Sequence, residues 1–395
     1  MSIIGKRTLA LFLAFLLCIL GAQPVFAEEA KLDVSLPVEP SNLAMNVKSA
    51  ILVEQTTGQV LYEKNPDELM PPASITKIMT LLLVMEALEA GKLKMEDMVS
   101  CSEHAASMGG SQIWLEPNEQ MSVHELLKAA AISSANDASV LLGEAVAGSE
   151  EGFVGMMNNR AKELGMKNTT FHNACGLDNK GHLTTARDIA IMSAELLKHE
   201  KIKEYSTVWM DSLRGGKTQL VNTNKLVRFY DGATGLKTGT TDGAGSCLSA
   251  SAQRGGLSLV AVVLGAPTSN DRFAGARKLL DYGFANYAMA TPPSIDEQLT
   301  PVKVLHGTKP EVAVQYDPPK AIVVKQGDEQ KLEQRVSMVP DVVAPIEKGQ
   351  ILGKVVISLD SNPITEYPLK AAHAVEKMTF RNGVKTLFGS LIKLK

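Results

Sequence analysis

The chain has 395 residues, and at roughly 150 residues per domain this length predicts two domains or three. Hydrophobic residues make up 45% of it and charged residues 21%, which excludes a disordered or fibrous chain. The formal net charge is −3 and only 5% of the residues are aromatic, so the composition predicts no nucleic-acid partner.

The N-terminus has the pattern of a secretory signal peptide. Lys6 and Arg7 precede an apolar run over 9–20, and Val25 and Ala27 stand three and one positions before a cleavage site at Glu28. The alternative is an uncleaved anchor, but the apolar run is short for a bilayer span of ~20 residues. We therefore expect residues 1–27 to be removed and the mature chain to be exported.

The cysteines and histidines predict neither a disulfide scaffold nor a metal site. Without the signal peptide three cysteines remain, an odd and small number, so each is expected to be a small buried hydrophobe: Cys101, Cys175 and Cys247. The seven histidines form no His-x-x-x-His pair. No cofactor is expected.

The body of the chain, residues 42–290, has the element order of an α+β domain. Residues 50–53 and 59–62 predict a hairpin, and a long apolar helix is expected from Ser74 to Ala90. Further helices are expected around 122–131, 137–147, 151–164, 185–199 and 271–288. Three predicted strands precede the last helix, at 235–240, 246–253 and 257–265. This order favours an antiparallel sheet with a helical half.

The residues after Thr291-Pro292-Pro293 predict a small all-β domain over 294–372. Short alternating runs are separated by Gly, Pro and Asp at 302–305, 312–315, 322–325, 336–339 and 351–357. No catalytic cluster occurs there, so a stalk or an adaptor is the expected role.

The last residues, 374–395, predict an amphipathic helix. From Lys370 to Lys395 six basic residues stand against one acidic residue, a local charge of +5. Apolar side chains between Phe380 and Leu394 share one side of a helical wheel, with basic side chains at its flanks. We expect this helix to lie on a membrane surface with anionic head groups. The alternative is a terminal helix packed on the protein's own core.

The first motif with chemical meaning is Ser74-Ile75-Thr76-Lys77, at the start of the long helix. Residues i and i+3 share a helix face, so the Ser74 hydroxyl and the Lys77 amine can meet. A desolvated lysine loses its proton near neutral pH and can then act as the base for a serine nucleophile. The alternative is a serine cap followed by a solvent-facing lysine.

Two further motifs follow along the chain. Ser134-Ala135-Asn136 falls in a break between helices, where a hydroxyl can relay protons and an amide can hold a substrate amide; the alternative is a plain helix cap. Lys237-Thr238-Gly239 lies on a predicted strand, where Lys237 and Thr238 can bind a carboxylate; the alternative is a surface turn. The N–H of Thr240 could pair with that of Ser74 as an oxyanion hole.

The three motifs together resemble those of penicillin-binding proteins and serine β-lactamases. Ser-x-x-Lys is followed by Ser-x-Asn 60 residues on and by Lys-Thr-Gly another 103 residues on. Within that superfamily the chain is most similar to the low-molecular-mass serine D-alanyl-D-alanine carboxypeptidases. The features that support this are the signal peptide, the β-domain, the basic tail, Pro72-Ala73-Ser74, Gly176-Leu177-Asp178 and Thr185-Ala186-Arg187-Asp188.

The resemblance implies an α+β transpeptidase-like domain, a small all-β domain and a C-terminal amphipathic helix. It implies removal of the terminal D-Ala from peptidoglycan pentapeptide stems, and acylation by β-lactam antibiotics, at the outer face of the bacterial cytoplasmic membrane. The implied catalytic residues are Ser74 as nucleophile, Lys77 as base and Ser134 as proton shuttle. The implied substrate-binding residues are Asn136, Lys237, Thr238, Gly239, Thr240 and Arg272. Arg272 stands where the family often has an arginine near the substrate carboxylate; the alternative is an exposed cap of the last helix.

Other functions remain open at this point. A class A β-lactamase needs a glutamate that positions the deacylating water, but Glu163 and Asn168 are one residue too far apart for that family's spacing. A D,D-endopeptidase that cleaves cross-links would use the same residues as a carboxypeptidase. A non-enzymatic β-lactam sensor would need a transmembrane link to a cytoplasmic domain, and a wall-binding scaffold would not require three intact motifs.

Overall fold

The computed structural model describes residues 43–380 and 382–384, so the predicted signal peptide lies outside the described residues. Up to residue 286 the helices are α1 (Lys77–Glu89), α2 (Glu103–Ala106), α3 (Val123–Lys128), α4 (Asn136–Ala147), α5 (Glu150–Glu163), α6 (Ala186–Leu196), α7 (Lys203–Ser206), α8 (Leu226–Phe229) and α9 (Ser269–Asn286). Short 3-10 turns are found at Ala73–Thr76, Glu200–Ile202 and Arg214–Gly216, and a π-helical turn is found at Ala129–Ser133. The strands are β1 (Ser49–Glu54), β2 (Val60–Lys64), β3 (Met98–Ser100), β4 (Gln120–Ser122), β5 (Met210–Leu213), β6 (Thr218–Val221), β7 (Ala233–Thr241), β8 (Gly245–Arg254) and β9 (Leu257–Ala266).

Five of these strands form one antiparallel sheet in the order β2-β1-β9-β8-β7. Strand β9 is apolar at successive positions, because both faces of the sheet are covered. Val260 and Val262 pack into the core shared with the helical half. Leu259 and Ala261 point to the other face and pack into a second core with α9. The sheet is therefore a middle layer, as the predicted α+β order requires.

Helix α1 runs through the core of the helical half, and its side chains are buried almost all the way round. The long helix predicted from Ser74 to Ala90 is present, but its first residues, Ala73–Thr76, form a tight 3-10 turn. Gly91 follows the helix with φ of 67°, a left-handed conformation that ends it. The Ser-x-x-Lys motif thus spans the junction between the turn and α1.

From residue 287 to residue 379 the chain is built of strands, apart from one 3-10 turn at Asp296–Gln298, whereas residues 380 and 382–384 are helical. The strands are β10 (Tyr287–Ala290), β11 (Val302–Leu305), β12 (Glu311–Val312), β13 (Val314–Gln315), β14 (Ile322–Lys325), β15 (Leu332–Met338), β16 (Asp341–Val343), β17 (Ile351–Leu359) and β18 (Asn362–Ala371). They form sheets in the orders β12-β11-β16, β13-β18-β17-β15 and β10-β14. The predicted all-β fold of this part is confirmed.

The sequence prediction was wrong at the end of the last long helix and incomplete in two hairpins. Helix α9 ends at Asn286, and the next four residues form β10, which pairs with β14. The β5–β6 hairpin was not predicted, because its strands are four residues long and only partly buried. Strand β18 was not predicted, because Pro363 and Pro368 interrupt its pattern.

The predicted C-terminal helix was wrong in its first residues. Val375 is buried and bridges Ile346, and Lys377 bridges Gly307, so 375–377 belong to the β-domain. Val375 is buried through a bridge to a residue far away in the sequence, which a helical wheel cannot reveal. Most of the remaining tail, 385–395, lies outside the described residues. Within the described ranges no helix is long and apolar enough to span a bilayer.

Candidate active site

The Ser-x-x-Lys motif places a serine hydroxyl beside a fully buried amine at the beginning of α1. The Nζ of Lys77 donates to Ser74 Oγ at 3.1 Å, to Asn136 Oδ1 at 2.6 Å and to the carbonyl of Cys175 at 2.6 Å. The contact predicted between positions i and i+3 is therefore present. Lys77 is held by two of the three motifs and by the loop that contains Cys175.

Burial lowers the pKa of Lys77 from 10.5 to about 8, although the buried carboxylate of Asp137 acts in the opposite direction. In its neutral form the amine has two N–H groups and one lone pair. The N–H groups match the oxygens of Asn136 and Cys175, which leaves the lone pair for the Ser74 hydroxyl. The site can therefore hold Lys77 as a base aimed at Ser74.

The Ser-x-Asn motif lies where the helical path is interrupted. The π-helical turn Ala129–Ser133 ends at Ser134, whose φ of 65° is uncommon for a residue with a side chain. Helix α4 then begins at Asn136, which is 4% exposed. Its Nδ2 donates to the carbonyl of Gly109 at 2.6 Å, and the second N–H of that amide points to no protein acceptor among the described residues.

The Lys-Thr-Gly motif lies on β7, the edge strand of the sheet. Lys237 is 1% exposed, and its Nζ donates to the Thr238 carbonyl at 3.2 Å. Burial, together with the charges of Lys77 and Arg272, holds the pKa of Lys237 well below its ordinary value. No carboxylate pairs with Lys237 in 43–380 or 382–384. A buried cation of this kind favours an incoming anion.

Gly239 lets β7 approach the turn that carries Ser74. A Cβ at Gly239 would lie 3.0 Å from the Ala73 Cβ and 3.1 Å from the Ser74 nitrogen, tighter than most real contacts. This approach brings the end of the Lys-Thr-Gly motif, just before Thr240, next to the backbone of Ser74. The two backbone segments predicted to form an oxyanion hole are therefore neighbours.

Arg272 is buried at the start of α9 and is not an exposed helix cap. Its Nη1 donates to the carbonyl of Gly239 at 3.0 Å, to Thr240 Oγ1 at 2.8 Å and, at 3.4 Å, to the carbonyl of Cys247. The guanidinium thus holds β7 at the end of the Lys-Thr-Gly motif.

A close approach between Gly176 and the residue before the nucleophile could not be found from the sequence. Gly176 has φ of +88°, and a Cβ there would lie 1.9 Å from the Ala73 carbonyl oxygen. Ala73 itself has φ of 48°. The loop that supplies the Cys175 carbonyl to Lys77 therefore packs directly against the strained start of the Ser-x-x-Lys motif.

Sequence reasoning also missed two buried titratable groups behind the site. The carboxylate of Asp137 accepts the backbone N–H groups of Ile113 and Leu115 at 3.1–3.2 Å. His182 Nε2 lies 2.9 Å from Thr76 Oγ1, and burial lowers the pKa of this histidine to about 4. A charged residue directly after Ser-x-Asn was a signal that could have identified Asp137.

The structure brings no carboxylate into hydrogen bonding with Ser74 or Lys77 within the described ranges. Glu163 lies exposed at the end of α5, where it pairs with Arg160 at 3.3 Å.

Comparison with known proteins assigns the family. A family model described as D-alanyl-D-alanine carboxypeptidase matches residues 36–268. The chain belongs to this family. A second model, described as the C-terminal domain of penicillin-binding protein 5, matches residues 287–377. The resemblance drawn from the three motifs is confirmed, and so is the combination of a penicillin-binding α+β domain with an all-β domain.

Full-length relatives carry the same family description. The chain is 44% identical over 394 residues to D-alanyl-D-alanine carboxypeptidase DacF of Bacillus subtilis, which covers 99% of this chain and 100% of the relative. It is 37% identical over 382 residues to D-alanyl-D-alanine carboxypeptidase DacC of Escherichia coli, covering 95% and 93% respectively.

Solved structures of penicillin-binding proteins share the fold. Penicillin-binding protein 5 from Haemophilus influenzae matches 85% of this chain and 99% of its own, with a TM-score of 0.78 and 30% identity. Penicillin-binding protein D2 from Listeria monocytogenes, in its ampicillin-bound form, matches 62% of this chain and 100% of its own, with a TM-score of 0.57 and 34% identity.

Proposed function

We propose that this protein is a serine D-alanyl-D-alanine carboxypeptidase that removes the terminal D-Ala from peptidoglycan pentapeptide stems. The observation that carries the proposal is the 3.1 Å contact between the Ser74 hydroxyl and Lys77, a buried lysine of lowered pKa. The family match and the relatives named as carboxypeptidases support the substrate class. The ampicillin-bound relative supports acylation by β-lactams.

Acylation begins at Ser74. Neutral Lys77 accepts the hydroxyl proton while Oγ attacks the carbonyl carbon of the penultimate D-Ala. The negative charge on the carbonyl oxygen is stabilised by the N–H groups of Ser74 and Thr240. The C–N bond to the terminal D-Ala then breaks, and the leaving amine receives a proton through the hydroxyl of Ser134. Free D-Ala departs, and the shortened stem remains as an ester on Ser74.

The substrate carboxylate is the anion that suits Lys237. Lys237 supplies a buried positive charge, and Thr238 supplies a hydroxyl on the same strand. The remaining N–H of Asn136 binds an amide carbonyl in the acyl part of the substrate. Arg272 acts on the substrate indirectly, because its hydrogen bonds hold Thr240 and the Gly239 carbonyl in place. A requirement for a free terminal carboxylate makes the enzyme an exopeptidase.

Hydrolysis completes the cycle when water attacks the ester on Ser74 and releases the tetrapeptide stem. A penicillin would follow the same acylation route, with its carboxylate at Lys237 and its opened ring as the acyl group. The absence of a carboxylate hydrogen-bonded to Ser74 or Lys77 in 43–380 and 382–384 supports slow hydrolysis of the penicilloyl ester. The protein is therefore a target of penicillin rather than an efficient β-lactamase.

The location of the enzyme belongs to the same proposal. A cleaved signal peptide over 1–27 would export it, and the basic amphipathic segment that ends the chain would attach it to the outer face of the cytoplasmic membrane. Flotation with anionic vesicles tests the attachment. The full chain should float and a chain ending at residue 378 should not; if neither floats, the membrane attachment is wrong.

D-alanine release from a diacyl-Lys-D-Ala-D-Ala peptide tests the activity. The purified protein should release D-alanine, and Ser74→Ala should release none. The amidated peptide, which lacks the terminal carboxylate, is the matched control and should be a poor substrate. Cleavage of cross-linked stem dimers in preference to the linear peptide would instead identify an endopeptidase.

A further inference from the structure

Trp114 is an exposed aromatic residue between two buried aliphatic residues. Its exposed fraction is 72%, whereas Ile113 and Leu115 are 2% and 4% exposed. Its φ is 54°, a conformation that is costly for a bulky side chain. An indole held in solvent at the expense of backbone strain contributes little to folding, and such strain is typical of functional positions.

The backbone on both sides of Trp114 is held by two polar side chains, Asp137, which is buried, and Arg214, which is partly buried. The carboxylate of Asp137 accepts the N–H of Ile113 and the N–H of Leu115, so it clamps both neighbours. Arg214 Nη1 donates to the Ile113 carbonyl at 3.0 Å, and Arg214 is fixed by Glu119 at 2.7 Å. The strained backbone conformation is therefore enforced by the structure around it, and it fixes the direction in which the side chain leaves the backbone.

The segment that carries Trp114, residues 109–115, also forms a wall of the active site. The carbonyl of Ser111 accepts the Asn136 backbone N–H at 2.7 Å, and the carbonyl of Gly109 accepts from the Asn136 side chain. Asp137, which clamps Trp114, is the residue after Asn136. Trp114 thus belongs to the segment that lines the site on the side of Asn136.

The direction of the substrate follows from the proposed function. With the terminal carboxylate at Lys237 and an acyl-side amide at Asn136, the rest of the stem leaves the site past Asn136. It therefore passes over the 109–115 segment. An extended peptide covers roughly 3.3–3.6 Å per residue, so the first side chain beyond the D-Ala pair comes nearest to this segment, whereas the sugar is several residues farther away.

We propose that Trp114 binds the side chain of the stem residue that directly precedes D-Ala-D-Ala, and so determines specificity at that position. This inference rests on the proposed function. An indole face suits a long aliphatic chain that ends in an amine, because the methylenes pack on the ring and the cation interacts with its π-electrons. The substrate class is thus a stem with a diamino acid before the D-Ala pair.

The test compares two peptides that differ only in this side chain. The kcat/KM for D-alanine release is measured with Nα-acetyl-Lys-D-Ala-D-Ala, whose ε-amine is free and charged, and with acetyl-Gly-D-Ala-D-Ala. Wild-type protein should prefer the lysine peptide, and Trp114→Ala should lower kcat/KM for it about tenfold while leaving the glycine peptide unchanged. Trp114→Gly should give the same result, because glycine adopts a positive φ without strain. Phe380→Ala, at another exposed aromatic residue, is the control and should change neither value.

The possible results separate this inference from the proposed function. An equal loss on both peptides would mean that Trp114 only supports the backbone, and no loss on either would mean that the stem takes another path; both results overturn the inference alone. If the wild-type protein released no D-alanine from either peptide, the proposed function would fail and the inference would fail with it.

Discussion

The rate of acylation should depend on pH through Lys77. Burial lowers the pKa of this lysine to about 8, and only the neutral amine can accept the proton of Ser74. The neutral fraction falls tenfold for each pH unit below the pKa. The second-order rate constant for acylation at pH 6 should therefore be about one hundredth of its value at high pH, and at pH 7 about one tenth.

Stopped-flow acylation by a fluorescent penicillin between pH 6 and pH 9.5 measures this dependence directly. We expect a logarithmic slope near one on the acid side, half of the maximal rate constant at about pH 8, and a plateau above about pH 9. A rate constant that does not change between pH 6 and pH 8 would refute the reasoning, because Lys77 would then not have to lose a proton.

The variant Asp137→Asn tests the direction in which the charge of Asp137 shifts the pKa of Lys77. Asp137→Asn keeps an acceptor for the N–H groups of Ile113 and Leu115 but removes the negative charge that raises the pKa of Lys77. The acid limb of the pH–rate profile of this variant should therefore move to lower pH. Glu163→Gln removes an exposed carboxylate and should leave the limb in place. A shift of the Asp137→Asn limb to higher pH would contradict the assigned cause.

Three further predictions follow from the packing and charge of the site. Gly176→Ala should lower the free energy of unfolding by about 2–4 kcal/mol and slow acylation, because its Cβ would collide with the Ala73 carbonyl; Gly58→Ala, with similar φ but open space, should cost only about 1 kcal/mol. Equal losses in urea denaturation would show that φ alone matters. Lys237→Met should raise the free energy of unfolding by about 1–3 kcal/mol while abolishing D-alanine release, since it replaces a buried amine, whose charged form burial disfavours, by an apolar side chain; a less stable variant would refute this account of the burial cost. Penicillin should give one equivalent of bound acyl group and little turnover in a hydrolysis assay, whereas rapid steady-state hydrolysis would contradict the proposed slow deacylation.

The central layer of the fold could be predicted because its pattern is local. The apolar run of β9 and the turn at Gly255-Gly256 define two neighbouring strands without reference to the rest of the chain. Strand β10 could not be assigned in this way. Its four residues continue an amphipathic helix in sequence, and they become a strand because β14, thirty-odd residues later, supplies the pairing edge.

The site was predictable where the chemistry lies in short motifs and unpredictable where it depends on packing. Ser74 and Lys77 are three residues apart, so helix geometry alone predicts their contact. The third oxygen on Lys77 belongs to Cys175, which lies 98 residues away and offers only its backbone carbonyl. No side-chain pattern marks a carbonyl. The need for glycine at 176 likewise appears only once the Ala73 carbonyl is in place.

Arg272 could be identified from the sequence, but its burial and its hydrogen-bond partners could not. The sequence placed it either near the substrate carboxylate or at an exposed cap. The structure buries it and directs it to Thr240 and the Gly239 carbonyl, because α9 packs on β8 and β9, beside β7 in the sheet. This contact depends on the packing of a helix on a sheet, which the local sequence does not determine.

The acyl-enzyme on Ser74 is the central claim, and peptide mapping of the ampicillin adduct tests it most directly. The protein is incubated with ampicillin, digested, and analysed by mass spectrometry for the peptide that carries the added mass. The account predicts one adduct per chain, on Ser74, and no adduct in Ser74→Ala. An adduct on another residue, or release of D-alanine by Ser74→Ala, would contradict it.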